Sequence, residues 1–332
     1  MRSSLSGWGR NNFYKCIIKE PKNLFELKKV IKKKIIARGL GRSYGDSSIQ
    51  VNGTILTKEL NKIISFDKKK GILNAESGIS ILEILEKIIP SGWFLPVTPG
   101  SKFISLGGMV AADVHGKNHH IMGSFRNHIN ELTIVDGNKK LIKCNKKKNS
   151  DLFNYTIGGM GLTGVIYSCE FNLIKITSHL IEQETIKSKN LKETINNIKK
   201  SNNFEYNVAW LDSSASKKKI GRSILFRGNH LKKNKAEIKT NFLKKKRLTI
   251  FDICPNWILN SFTIKLLNFF FFNLASQGKK TLDIDDYFYQ LDKVKNFNIL
   301  YGKKGFISYQ FVVPYKNCEK SIMEVLKILK IN

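Results

Sequence analysis

The chain has 332 residues, five widely spaced cysteines and a formal net charge of +31, which gives length for two packed domains and no sign of a disulfide framework or zinc ribbon. Only eight of its 57 basic residues are arginine and the lysines are scattered, a pattern that favours a solvated surface over a nucleic-acid face while leaving attraction to an anionic substrate or membrane surface open. The first ten residues contain no apolar h-region, so no secretory signal is expected, and the odd cysteine count fits a reducing, cytoplasmic compartment.

Apolar residues at helical spacing predict a helix over 21–32, and Ile-Ile-Ala at 35–37 predicts a short buried strand running into a glycine-rich loop. A second amphipathic helix is expected over 80–90, ended by Pro90. Residues 132–144 read as a hairpin turning at Asp136-Gly137, and 164–174 as a strand that closes an α+β unit near residue 177. Beyond it, 187–203 fits a helix or a linker, 207–212 and 224–228 fit strands, and Lys-rich 231–247 fits a solvated excursion. Residues 257–275 approach the length of a membrane span but contain Lys265 and three asparagines, so spanning is disfavoured. A buried core helix is the simpler expectation there, with an apolar patch docked on a bilayer as the alternative. Residues 305–314 alternate like a strand and lead into a helix over 317–330.

Three glycine-rich loops carry the chemical signal: 37–46, 99–108 and 158–164. Glycine lets successive backbone N–H groups approach a ligand and cradle phosphate oxygens. Three such loops in one unit, the first containing Arg38 and Arg42, point to a bound diphosphate. No GxGxxG opens a helix and no GxxxxGK[ST] is present, which disfavours a nicotinamide Rossmann site and a P-loop. Half of the six histidines fall in V-A-A-D-V-H-G-K-N-H-H at 110–120. His115 and His119 could share a helical face as metal ligands, but Gly116 and Asn118 are poor helix formers and no third ligand is evident. A nucleophile would need a serine or cysteine elbow, and none is recognisable.

The loops resemble those of the vanillyl-alcohol-oxidase, or PCMH-type, flavoproteins, in which a two-lobed α+β domain buries FAD. A-R-G-L-G-R-S-Y-G-D, G-G-M-V-A-A-D-V-H-G-K-N-H-H and G-L-T-G-V-I, with L-S-G-W-G-R near the start, are similar to the decaprenylphosphoryl-ribose oxidase family, over roughly residues 5–177. The resemblance implies an FAD-binding domain over 1–177 and an α+β substrate (cap) domain with an antiparallel sheet over 178–332. The cap would be shortened, because family members continue beyond the equivalent of Asn332 with a segment that carries their catalytic lysine.

Carried over by position, the cofactor-binding residues would be Ala37, Arg38, Gly39, Leu40, Gly41, Arg42, Ser43, Tyr44, Gly45, Asp46 and Ser47 in the first loop. Gly100, Ser105, Leu106, Gly107 and Gly108 would follow in the second, then Ala112, Asp113, Val114 and His115 along the flavin and Ile166 near the adenine. Arg42 stands where many relatives attach FAD through a histidine, which implies non-covalent FAD. Tyr44, His115 and Lys117 are the candidate catalytic residues, and Lys117, Trp210, Tyr309 and Gln310 the candidate substrate contacts; no metal is implied. The chemistry implied is hydride transfer from a secondary alcohol of a sugar, the oxidation step of a polyprenyl-phosphate pentose epimerisation in cell-wall or polysaccharide synthesis. Its implied partners are a short-chain reductase and the inner face of a membrane, with no nucleic acid. A catalytically incomplete flavin-binding chain and an aldonolactone- or alditol-oxidase-like enzyme are the alternatives.

Overall fold

The computed structural model describes residues 2–232, 243, 245, 247–250, 259–302 and 305–331. Strand β1 (Arg2–Ser6) pairs antiparallel with β2 (Phe13–Lys19). Asn23 then caps α1 (Leu24–Val30) by accepting the Glu26 N–H at 2.9 Å, and Ile31 ends the helix in extended conformation. Strands β3 (Ile36–Arg38) and β4 (Thr54–Leu56) run parallel to each other, giving the sheet order β1-β2-β4-β3.

A second sheet is antiparallel throughout. It contains β5 (Ile63–Asp67) and β6 (Ile72–Glu76), and between β6 and its later strands lie α2 (Ile81–Ile88), the short β7 (Trp93–Phe94), α3 (Leu106–Ala111) and α4 (His119–Met122). Then come β8 (Ile129–Val135), β9 (Leu141–Cys144), α5 (Ser150–Thr156), β10 (Val165–Asn172) and the short β11 (Ile174–Lys175), which pairs with β7. The five-stranded order is β5-β6-β10-β8-β9. Helix α2 owes its position to a capping box between Ser80 and Glu83 and to Ile81, Ile84, Leu85 and Ile88, all buried on one face. Val135 and Val165 at the sheet ends pack with Leu27, Ile31, Ile55 and Leu60, which joins the first sheet to the second.

A third sheet, of order β13-β14-β12-β16, is again antiparallel. Its strands are β12 (Leu180–Ser188), followed by α6 (Leu191–Lys199), then β13 (Tyr206–Leu211) and β14 (Ser223–His230). After β15 (Leu248–Thr249) and α7 (Ser261–Leu274), β16 (Gly278–Asp283) returns to the sheet and leads into α8 (Ile284–Phe288). The short β17 (Val294–Lys295) pairs with β15, and α9 (Cys318–Ile331) follows. Phe288 of α8 lies 5.4 Å from Phe94 and 4.8 Å from Tyr206, ring to ring, so the main hydrophobic cluster runs on from the second sheet into the third.

The α+β class expected from sequence therefore holds, with two corrections of detail. The hairpin turns where expected: Gly137 and Asn138 are its central residues, the Lys139 N–H donates to the Asp136 carbonyl at 3.0 Å, and the Asp136 carboxylate accepts the Asn138 and Lys140 N–H groups. Residues 305–314 form no strand; Ile307, Tyr309 and Val312 are more than four-fifths exposed, so their alternation has no sheet to face. The described part of 257–275 is a helix, but none of its residues is buried, which overturns the core-helix reading. Of the region 187–203, left open between helix and linker, Leu191–Lys199 form α6, because Leu191, Thr194 and Ile195 bury one face, while 187 and 188 end β12. Most of 231–247 lies outside the described residues. No described helix is long and apolar enough to cross a membrane.

Candidate active site

The first glycine loop leaves β3 at Arg38, whose own guanidinium is buried and donates to the Ser6 carbonyl at 2.8 Å and to Ser48 Oγ at 3.1 Å. Arg38 therefore ties the two ends of the loop together and is not free to face a phosphate. Inside the loop, the Ser43 and Tyr44 carbonyls accept the Trp8 and Gly9 N–H groups at 2.7 and 3.0 Å, and the Asp46 carboxylate accepts the Tyr14 hydroxyl at 2.8 Å. The carbonyl side of the loop is thus engaged by the N-terminal strands. Among the described residues, no acceptor faces any backbone N–H from Leu40 to Ser47, and Arg42 to Ser47 are exposed. Unpaired N–H groups in an exposed loop beside an arginine are the donor set that an anionic diphosphate requires.

The second loop meets the first at close range. A Cβ on Gly39 would overlap Ser105 Oγ, and Arg42 Nε donates to the Phe103 carbonyl at 3.2 Å. Ser105 caps α3 and its hydroxyl accepts the Gly108 N–H at 3.3 Å. Leu106 is buried and Gly107 lies against Ser77, so these two seat α3 on the sheet, whereas Gly100, Gly108 and Ala112 face outward. The third loop is stitched to the end of α3: the Gly158 and Met160 N–H groups donate to the Val110 and Ala111 carbonyls at 3.0 and 2.9 Å. Asp113 takes a positive φ of 42° there, held because its carboxylate accepts both the backbone N–H and Nε of Arg126. Gly45 and Gly100 have open space where a Cβ would stand. Unpaired N–H donors, an adjacent arginine and open approach at two glycines are the features that the diphosphate of FAD would need.

The histidine run continues the wall. Gln310 donates from its amide to Nε2 of His115 at 2.8 Å, which brings together two residues 195 positions apart that were both expected at the site. His120 turns away to the Phe204 carbonyl and Asn207, while His119 stacks edge-on to His115 at 5.9 Å. The ammonium of Lys117 donates to the Tyr287 carbonyl and lies 4.4 Å from the Tyr287 ring centre. Burial lowers its pKa to about 8, and among the described residues no carboxylate pairs with it. A desolvated cation of this kind, with an aromatic floor and no counter-ion, is arranged to receive an anion.

Other expected residues stand apart. Trp210 packs edge-on against Phe271 of α7 at 4.9 Å, Tyr309 is exposed and stacked on Phe311, and Ile166 is buried in the core strand β10. Two features escaped sequence reasoning. Trp8, Tyr44 and Phe306 form a three-ring cluster with centroids 5.3–5.7 Å apart, bracing the first loop from both chain halves. Asp292 binds the Ser101 hydroxyl and the Lys102 N–H at 2.7 and 2.8 Å, fixing the second loop. The first could have been suspected from the tryptophan in L-S-G-W-G-R; the second has no sequence signal, since an aspartate far along the chain has no pattern to mark it.

Comparison with known proteins agrees with this geometry. Residues 19–145 match the model of an FAD binding domain. The chain is 32% identical to decaprenylphosphoryl-β-D-ribose oxidase of Mycolicibacterium smegmatis over 297 residues, 86% of this chain and 64% of the relative. It is 23% identical over 163 residues to a putative D-arabinono-1,4-lactone oxidase of Neurospora crassa, covering 47% of this chain and 29% of that one. It is also 24% identical over 199 residues to L-gulonolactone oxidase of Mus musculus, covering 56% and 44%. The chain thus spans less than two thirds of the length of these relatives.

Proposed function

We propose that this chain is the flavin-binding part of an oxidoreductase that takes a hydride from a secondary alcohol of a phosphate-linked sugar, a polyprenyl-phosphate pentose being the best-supported substrate. The single observation that carries the reading is the contact of the first loop, with its unpaired N–H row, against Ser105, which caps the helix that leads into His115 and Lys117. FAD, bound without a covalent link because Arg42 replaces the attaching histidine, would supply the hydride acceptor. The first loop and Gly100 to Gly108 would hold its diphosphate, and Ala112 to His115 would line its ring. Gln310 orients the His115 imidazole as a wall of the site, and Tyr44 closes the side nearest the loop. Lys117 would pair with a phosphate oxygen of the substrate and so place the sugar against the wall. In this reading residues 1–177 are the FAD-binding unit and 178–332 the substrate-facing unit, with a reductase completing the epimerisation at the inner face of a membrane. The similarity to the lactone oxidases supports a second substrate class, a free aldonolactone, which needs no cation at Lys117.

The test is the visible spectrum of the purified chain, then anaerobic addition of a polyprenyl-phosphoryl pentose or of L-gulonolactone. Bleaching of the flavin band by the first and not the second is the expected result; a colourless protein that takes up no FAD would overturn the reading. A stable flavin band that neither sugar bleaches would mark a chain that binds flavin but does not turn over alone. Lys117 gives a further expectation. Because its free ammonium loses its proton near pH 8, affinity for the phosphate-bearing substrate should fall as pH rises through that value, by about tenfold per pH unit once the amine is neutral. Lys117→Met should bind the substrate about tenfold to a hundredfold more weakly at pH 7, and its affinity should show no step near pH 8.

A further inference from the structure

We propose that α7 is an interfacial anchor that lays its outward face into an anionic lipid surface. The helix is held to the body by one side only. Asn268 donates to the Asp212 carboxylate at 2.9 Å and to Ser214 Oγ at 3.2 Å, Phe271 meets Trp210, and Phe272 lies under Arg222 and Lys187 at 4.7 and 5.5 Å. At about 100° per residue, Phe262, Leu266, Phe269 and Phe270 point the opposite way. Phe262 is 73% exposed, Phe269 52% and Phe270 48%. The one charged residue of the helix, Lys265, is exposed and flanks the outward face, one turn from both Phe262 and Phe269.

Three observations choose the occupant. Fourteen residues rise only about 21 Å, short of a hydrocarbon core of about 30 Å, so the helix can lie in an interface but not cross it. The turn that grips Asn268 through Asp212 and Ser214 also presents Lys217, Lys218 and Lys219, all exposed, so the side on which the helix joins the body has a basic border. A second copy of the chain seated on this face would bring two such borders, on chains of net charge +31, against each other. An anionic membrane satisfies both the apolar face and this basic border. The inference is independent of the flavin reading, since lipid binding needs no cofactor.

The test is co-sedimentation of the full chain with vesicles of phosphatidylglycerol and phosphatidylcholine in equal parts, and with phosphatidylcholine alone. Retention on the first and roughly tenfold less on the second is expected, declining with salt. Phe269→Ser/Phe270→Ser should lower the partition roughly tenfold or more, and replacing Lys217, Lys218 and Lys219 with Gln should lower it on the order of a hundredfold on the anionic vesicles. Both variants alter exposed side chains, and an unchanged circular dichroism melt checks the fold; Phe262→Ser serves if the double variant does not fold. Absence of wild-type retention on phosphatidylglycerol would overturn the proposal. So would retention indifferent to the phenylalanine changes, or a wild-type dimer in sedimentation that those changes dissociate, which would assign the face to a second copy.

Discussion

Gly39→Val is expected to weaken FAD binding roughly tenfold to a hundredfold while the chain still folds, because overpacking one contact costs about 1–3 kcal/mol. A Cβ at Gly39 would overlap Ser105 Oγ and lie 2.9 Å from Ser105 Cβ. The overlap sits where the first loop meets the cap of α3, so relief must come from moving one of the two cofactor loops. Gly45→Ala is the control: its Cβ meets nothing within 4 Å in the protein, so the melting temperature of the flavin-free chain should not change. Any loss of FAD affinity in that variant would then arise from the cofactor itself occupying the space. Flavin titration followed by fluorescence quenching separates the two, and full affinity in Gly39→Val would show that the loops need not approach so closely.

The second large effect is expected at Lys102 and Asp285. Both side chains are almost wholly buried; the Lys102 ammonium meets the Asp285 carboxylate and also donates to the Leu243 carbonyl at 2.9 Å. Burial raises the Asp285 pKa, and the lysine offsets only part of that rise. Lys102→Met should therefore cost about 3–5 kcal/mol in urea unfolding at neutral pH, by leaving a buried carboxylate alone. The penalty should shrink as pH falls, because an Asp285 pKa raised further by loss of its partner lets the folded state take up the proton first. Replacing both, as Lys102→Met/Asp285→Leu, should recover most of the stability. A single variant as stable as the parent would mean that water reaches the pair.

How much of this was legible beforehand follows from what each residue signals locally. The three glycine loops and the His115 run announced themselves because their composition is unusual, and α1 and α2 because apolar periodicity and caps agree. Strand β12 gave no such signal: its inward positions include Gln183, Thr185 and Ser188, which satisfy one another and their neighbours by hydrogen bonds and so read as surface. Residues 305–314 failed in the opposite sense, with strand-like alternation exposed to solvent. At the site, His115 and Gln310 were expected separately, one at the cofactor and one at the substrate, and their contact was not; Arg38 was expected to face the cofactor and instead braces its own loop. A residue type shows what chemistry is available; only the fold shows which partner takes it up.

The three-ring cluster of Trp8, Tyr44 and Phe306 has a consequence for the order of events during synthesis. The first glycine loop emerges from the ribosome early, yet one of its braces comes from the segment around Phe306, whose N–H donates to the Gly9 carbonyl at 3.0 Å. A nascent chain halted before that segment would carry the loop with its earlier contacts, those of Ser6, Trp8, Gly9 and Tyr14 among them, but without the Phe306 brace. Flavin loading would then follow completion of this clasp, and a tightly held flavin would report that the two distant segments had found each other.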